Sequence, residues 1–320
     1  MNFSFPKVRL AANNRRFISP AVESLIKEIK KRIKNKALAW LFENCFPNTL
    51  DTTIEFQLNN TTIQHQPDTY VITGDIDAMW LRDSSAQVHP YLPLMKKDAQ
   101  LRLLIEGVLL RQCLCIERDP YANAHYKYTN RTSEWQSMDQ TDMRPGVHER
   151  KWELDSLCYV LRLMHSYWNE VDRDTKFFHQ NRRILKKTIR IILKTMKEQQ
   201  RFHNLGPYTY QRQGYPRGHP ARPNGLIHSF FRPRVGGPHV GFGMVWPLAI
   251  IMRGMTSTND DEIRLCLKML EKSHANTGFM HESVDMNNPI QFTRPWFAWA
   301  NSLFGEFIWK LYREKPYLLD

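Results

Sequence analysis

Apolar residues recur at helical spacing along most of the chain. Val22, Ile26, Ile29 and Ile33 lie three and four apart and predict a helix over residues 20–43, opened by Ser19 as a capping hydroxyl and Pro20 in the first turn. Leu185, Ile189, Ile192 and Met196 do the same within residues 175–200. Further helical stretches fall at 84–92, 99–117, 152–168, 241–255, 259–273 and 295–312. Eight helices as consecutive antiparallel pairs predict an all-α architecture with strands nearly absent. The one alternating stretch, Ile54, Phe56 and Leu58 within residues 53–64, predicts a short hairpin turning at Asn59 and Asn60.

Two segments interrupt this pattern. Residues 119–148 are polar, aromatic and aperiodic, which predicts a long ordered loop. Residues 202–237 are rich in proline, glycine and arginine and form the one credible break in the chain. No stretch reaches the apolar length of a membrane span, and residues 1–12 lack an apolar signal-peptide core. With 320 residues and 42% hydrophobic content, the chain can bury a substantial core. The expectation is one domain over residues 1–320, with no membrane partner.

Charge changes the picture less than its size implies. The net charge of +13 is largely local. Lys27, Lys30, Lys31, Arg32, Lys34 and Lys36 follow the first helical pattern, and Arg182, Arg183, Lys186, Lys187, Arg190, Lys194 and Lys197 follow another. Both sets read as solvated outer faces of amphipathic helices. No aromatic-interleaved basic motif accompanies them, so no nucleic-acid partner is expected. The five cysteines show no zinc-like pairing and read as reduced buried thiols, which points to a cytoplasmic location.

The chemistry concentrates in a few places. Residues 73–83 hold Gly74, Asp75, Asp77, Trp80, Arg82 and Asp83 among apolar neighbours, a mixture that suits the wall of a sugar pocket. An indole face meets the C–H side of a pyranose ring, while carboxylates and a guanidinium meet its hydroxyls. A second cluster holds Lys151, Trp152, Glu153 and Asp155. Glu153 and Asp155 are two apart on a helix start and point in different directions, whereas Lys151 and Asp155 are four apart and share a face. That pair reads either as a pocket wall or as a surface bridge.

A third cluster joins His281 and Glu282 to Arg294 and Trp296. It lacks the second histidine of a metalloprotease helix, since Asp285 stands four beyond His281, and neither a metal nor a cofactor is expected. Burial near aromatics raises a carboxylate pKa and a nearby arginine keeps it ionised, so Glu282 is suited to act as a general base. His239, in a glycine-rich loop that is not a phosphate loop, is expected at the surface of a cleft. Together these segments suit glycosidic hydrolysis, which requires two carboxylates and no metal.

Residues 45–53, 73–84, 149–157, 237–247 and 281–304 resemble glycoside hydrolase family 125, the metal-independent exo-α-1,6-mannosidases. The resemblance implies an (α/α)6 toroid of antiparallel helical hairpins acting by inversion on α-mannosides, such as oligosaccharides derived from mannan or N-glycans. It makes Glu282 the base and lines the mannose subsite with Asp77, Trp80, Arg82, Asp83, His239, His281 and Arg294. One departure stands out. The family's Arg-Pro-Ser-Asp-Asp motif, which carries the general acid, has no counterpart here, because Arg232 and Pro233 lead directly into Arg234 and the loop of His239. The expectation is therefore an incomplete toroid with a deletion junction near 234–236. Asp155, Glu153 and Asp142 are the fallback acids, and a non-catalytic carbohydrate-binding relative or a truncated gene product is the alternative.

Overall fold

The structure, a computed structural model, describes residues 5–59, 66–139, 141–201, 207, 208, 210, 212 and 243–320. The chain divides into two compact units, Met1–Ile54 with Phe231–Asp320, and Glu55–Phe230. Among the described residues no helix is long and apolar enough to cross a membrane.

The first unit begins with α1 (Pro20–Arg32), capped by Ser19 Oγ accepting from the Val22 amide. The continuous helix expected over 20–43 is in fact two. Asn35 Oδ1 accepts from the amides of Ala37 and Leu38 and starts α2 (Lys36–Cys45) afresh. An asparagine at an N-cap satisfies amides that a continuing helix would have bonded itself, so the period carries on while the axis restarts. The short α3 (Asn48–Thr52) follows. After the break the unit is completed by α9 (Pro247–Thr256), α10 (Asp260–Ser273) and α11 (Ala298–Glu314). The last of these is the central helix, packing against α2, α3 and α9. Its Gly305 lets the backbone approach Phe46, whose ring stacks on Phe42 with centroids 5.0 Å apart.

In the second unit, α4 (Leu81–Val88), α5 (Ala99–Arg118) and α6 (Leu154–Glu170) pack together, with α8 (Arg182–Gln199) against α5 and α6. The short α7 (Lys176–Gln180) ends at the buried Asn181, which splits the helix expected over 175–200. Gln112 on α5 donates to Ser84 Oγ and Ser85 Oγ at 2.9 and 2.8 Å, fixing the start of α4. The cations of α8 are all exposed and its Leu185 and Ile192 are buried as expected, but Ile189 is exposed and Met196 half-buried, because the buried stripe runs instead through Thr188 and Thr195.

The molecule is mostly helical, but strands are present. β1 (Ile54–Asn59) pairs with β2 (Gln66–Val71), so the partner of the alternating stretch lies beyond the turn expected at Asn59 and Asn60; residue 60 is outside the described residues. The segment expected to be a loop over 119–148 contributes β4 (Ala124–His125) and the start of β5 (Val147–Glu149), which join β3 (Met79–Trp80) in an antiparallel sheet. In the first unit β6 (Met244–Val245), β7 (Ser283–Asp285) and β8 (Phe292–Thr293) form a third sheet. Elements this short show no alternation for a sequence to display. Four cysteines are buried as expected, whereas Cys158 is exposed.

Candidate active site

In the second unit the sheet and the start of α4 gather the first two clusters. Gly74 adopts a left-handed φ of 133° ahead of the acidic run. Asp77 is exposed and ion-paired with Arg131, a residue of the supposed loop. Trp80, on β3, meets the edge of His148, on β5, with centroids 4.9 Å apart. His148 Nδ1 in turn lies 2.9 Å from the Tyr126 hydroxyl, which donates to Glu134. Arg131, Glu134 and His148 are invisible as site neighbours in the sequence, because nothing in residues 119–148 marks which of them return to Trp80.

Arg82 is the hub. Its Nη1 lies 2.6 Å from Glu153 Oε2 and 3.3 Å from Asp155 Oδ1, and its Nη2 is 3.4 Å from Asp83 Oδ2. Burial opposes its charge, but Glu153, Asp83 and Asp155 outweigh that and hold the guanidinium firmly protonated. Lys151 does not pair with Asp155 along a helix. It precedes the helix and its Nζ sits 3.3 Å from Glu153 Oε1. Glu153 thus takes two cations, and Ser156 Oγ also donates to it at 3.4 Å. The arrangement is a polar wall in which two cations, Arg82 and Lys151, face three carboxylates, Asp83, Glu153 and Asp155. Asp155, the fallback acid, serves in it as an ion-pair partner, and Asp142 is exposed beside Arg144.

In the first unit Glu282 is half-buried immediately before β7 and accepts from Thr293 Oγ1 at 3.2 Å. Thr293, on β8, also meets Ser283 Oγ at 2.6 Å, so one cross-strand pair fixes the carboxylate's turn. His281 is fully buried, stacked on Phe292 at 3.8 Å, with Nε2 3.1 Å from Thr277 Oγ1 and Nδ1 3.4 Å from the Arg294 carbonyl. Burial lowers its pKa and keeps the ring neutral, so it holds the loop together. Arg294 carries its guanidinium 4.7 Å over the Phe297 ring from a backbone with φ of 50°, a left-handed value in front of Pro295. His239 lies outside the described residues. No group of three or more His, Cys, Asp or Glu side chains among the described residues is suited to hold a metal.

The helical scaffold thus carries a half-buried carboxylate loop in one unit and a wall of tryptophan, arginine and carboxylates in the other. The chain belongs to the metal-independent alpha-mannosidase family (GH125), whose profile matches residues 35–234 and 234–309, two segments that meet at Arg234. A solved Streptococcus pneumoniae protein superposes with a TM-score of 0.79 over 94% of this chain and 100% of its own, at 23% identity, a likeness of fold. It is described as a metal-independent alpha mannosidase in a non-productive substrate complex with alpha-1,6-mannobiose. The Meiotically up-regulated gene 157 protein of Schizosaccharomyces pombe is 29% identical over 460 residues, covering 98% of this chain and 90% of the relative. This chain has only 320 residues, so the match runs over at least 140 residues of the relative that have no counterpart here.

Proposed function

We propose that this chain recognises terminal α-mannosyl residues with the inherited pocket of an inverting exo-α-1,6-mannosidase, and that its hydrolytic step is weak or lost. The observation that carries this reading is the family match on both sides of Arg234, with a relative longer by at least 140 residues. An inverting hydrolysis needs a base to activate water and an acid to protonate the leaving oxygen, with the two carboxyls about 6.5–9.5 Å apart. Glu282, steadied by Thr293, is the proposed base. The wall of Trp80, Arg82, Asp83, Lys151 and Glu153, with Asp77 at its exposed end, is the proposed mannose-binding side, and His239 and Arg294 are proposed as further contacts. The acid belongs to the family motif that this sequence lacks.

The alternative is a carbohydrate-binding relative with no turnover, or a truncated gene product; the ion pairs that hold Glu153 and Asp155 to Arg82 favour binding over proton transfer. The test uses α-1,6-mannobiose and an aryl α-mannoside. Mannose release that survives a chelator and disappears in Glu282→Ala supports an active enzyme using that base. Binding of methyl α-mannoside without turnover supports the non-catalytic relative. Neither binding nor turnover by a folded protein overturns the whole reading.

A further inference from the structure

The first unit contains a cavity of about 450 Å³ that none of the residues discussed as base or mannose wall lines. Its size lies in the range of small-molecule sites, roughly 300–1,000 Å³. Three pieces of chain line it, open to solvent: the N-terminal segment with Leu10 and Asn14, α3 with Asn48 and Asp51, and the approach to α11 with Trp296, joined by Phe279. The N-terminal segment is fastened to α3 by the amides of Arg16 and Phe17, which donate to the carbonyls of Asp51 and Leu50 at 2.9 and 3.0 Å.

The Asp51 carboxylate is only 4% exposed and is matched by Arg9 at 2.6 Å and Arg15 at 3.7 Å. The exposed Arg16 also lines the cavity and adds guanidinium donors to it. Beside these lies an apolar face with further hydrogen-bonding groups. Trp296 Nε1 donates to Thr52 Oγ1 at 3.1 Å, and Thr52 Oγ1 donates onward to the Asn48 carbonyl at 2.6 Å, so the indole is held in one orientation. Asn301 spends its amide on Met280 and Phe297 and holds the opposite wall. Asn48 is 5% exposed, and among the described residues its side-chain oxygen has no hydrogen-bond donor. A fixed aromatic face flanked by amide, carboxylate and guanidinium groups is the environment a pyranose ring and its hydroxyls require.

The geometry points to a second carbohydrate-binding site in this cavity, one that takes a single pyranose unit and shares no residue with the Arg82 wall. The choice of mannose as its sugar rests on the function proposed above; the site itself rests on the cavity.

The test reads the site locally. Indole nitrogens are labelled with nitrogen-15, and the Trp296 signal is assigned by its disappearance in Trp296→Phe. Methyl α-mannoside is then titrated into the full chain and into Asn14→Trp, which fills the cavity from an exposed position. The expected result is a saturable shift of the Trp296 signal in the parent protein, with apparent affinity at least ten-fold weaker in Asn14→Trp. No shift of Trp296, or an equal shift in a folded Asn14→Trp, overturns the site. Mannoside binding that leaves Trp296 unmoved would overturn it while leaving the proposed function standing. If Trp296 shifts but the Arg82 wall binds nothing, the function fails and the cavity site survives.

Discussion

Arg82 Nη1 lies 2.6 Å from Glu153 Oε2, and the same nitrogen reaches Asp155 at 3.3 Å. Two carboxylates that are two positions apart would diverge on a helix. They converge here because the helix begins at Leu154, leaving Glu153 extended at φ −132° as its N-cap while Asp155 occupies the first turn. The guanidinium therefore ties the start of α6 to the start of α4.

Replacing Arg82 by methionine is expected to destabilise the protein by about 3–5 kcal/mol, since Glu153 would be left buried with half its cationic partners gone. Equilibrium urea unfolding measures this. A loss below about 1 kcal/mol would show that Lys151 alone suffices.

Gly305→Ala should be destabilising by about 1–3 kcal/mol through overpacking. Its added methyl would stand 2.6 Å from Phe46 Cδ2 and 2.8 Å from Phe46 Cα, and the latter, as backbone, cannot swing away. Thermal unfolding of the variant checks this, and an unchanged midpoint would mean that α11 can slide away from α2.

Stability should fall as the solution is acidified below about pH 6.5. His125 is fully buried, and burial, helped by Arg118, lowers its pKa to about 3. The native ring stays neutral while the unfolded chain takes up a proton below its ordinary pKa of about 6.5, so each pH unit downward costs up to about 1.4 kcal/mol until pH approaches 3. His148, His274 and His281 are lowered by burial and act with the same sign. Asp51 and Glu271, raised by burial, act with the opposite sign nearer the carboxylate range. Comparing His125→Leu with the parent between pH 7 and 5 isolates one ring: the variant's urea midpoints should decline less steeply, and parallel slopes would contradict the assignment.

On the function proposed above, the relative's extra segment would carry the acid that complements the proposed base Glu282, so inserting it at Arg234 should create or raise hydrolysis of an aryl α-mannoside. A folded chimera with activity no higher than the parent would show that the missing acid is not what limits the reaction.

Much of this was legible from residue order alone. The Ser19 cap and the cation-bearing outer face of α8 each depend on neighbours within a few positions. The breaks at Asn35 and Asn181 were not: the apolar period runs through Asn35, where side-chain hydrogen bonds to Ala37 and Leu38 restart the helix, and Asn181 begins α8 with no side-chain cap at all. Nor was the pairing of Lys151 with Glu153, which depends on where α6 begins. Arg131, Glu134 and His148 reach Trp80 and Asp77 through strands of two and three residues, too short to leave a pattern.

The backbone of Arg294 has a consequence for how this position can vary. A left-handed conformation ahead of a proline is one that glycine adopts freely and arginine resists. Arg294→Gly is thus expected to raise the melting temperature while weakening mannoside binding, two changes that calorimetry and titration separate. If Arg294 contacts mannose as proposed, local preference and ligand recognition pull this site in opposite directions, and the arginine that stands there sides with the ligand.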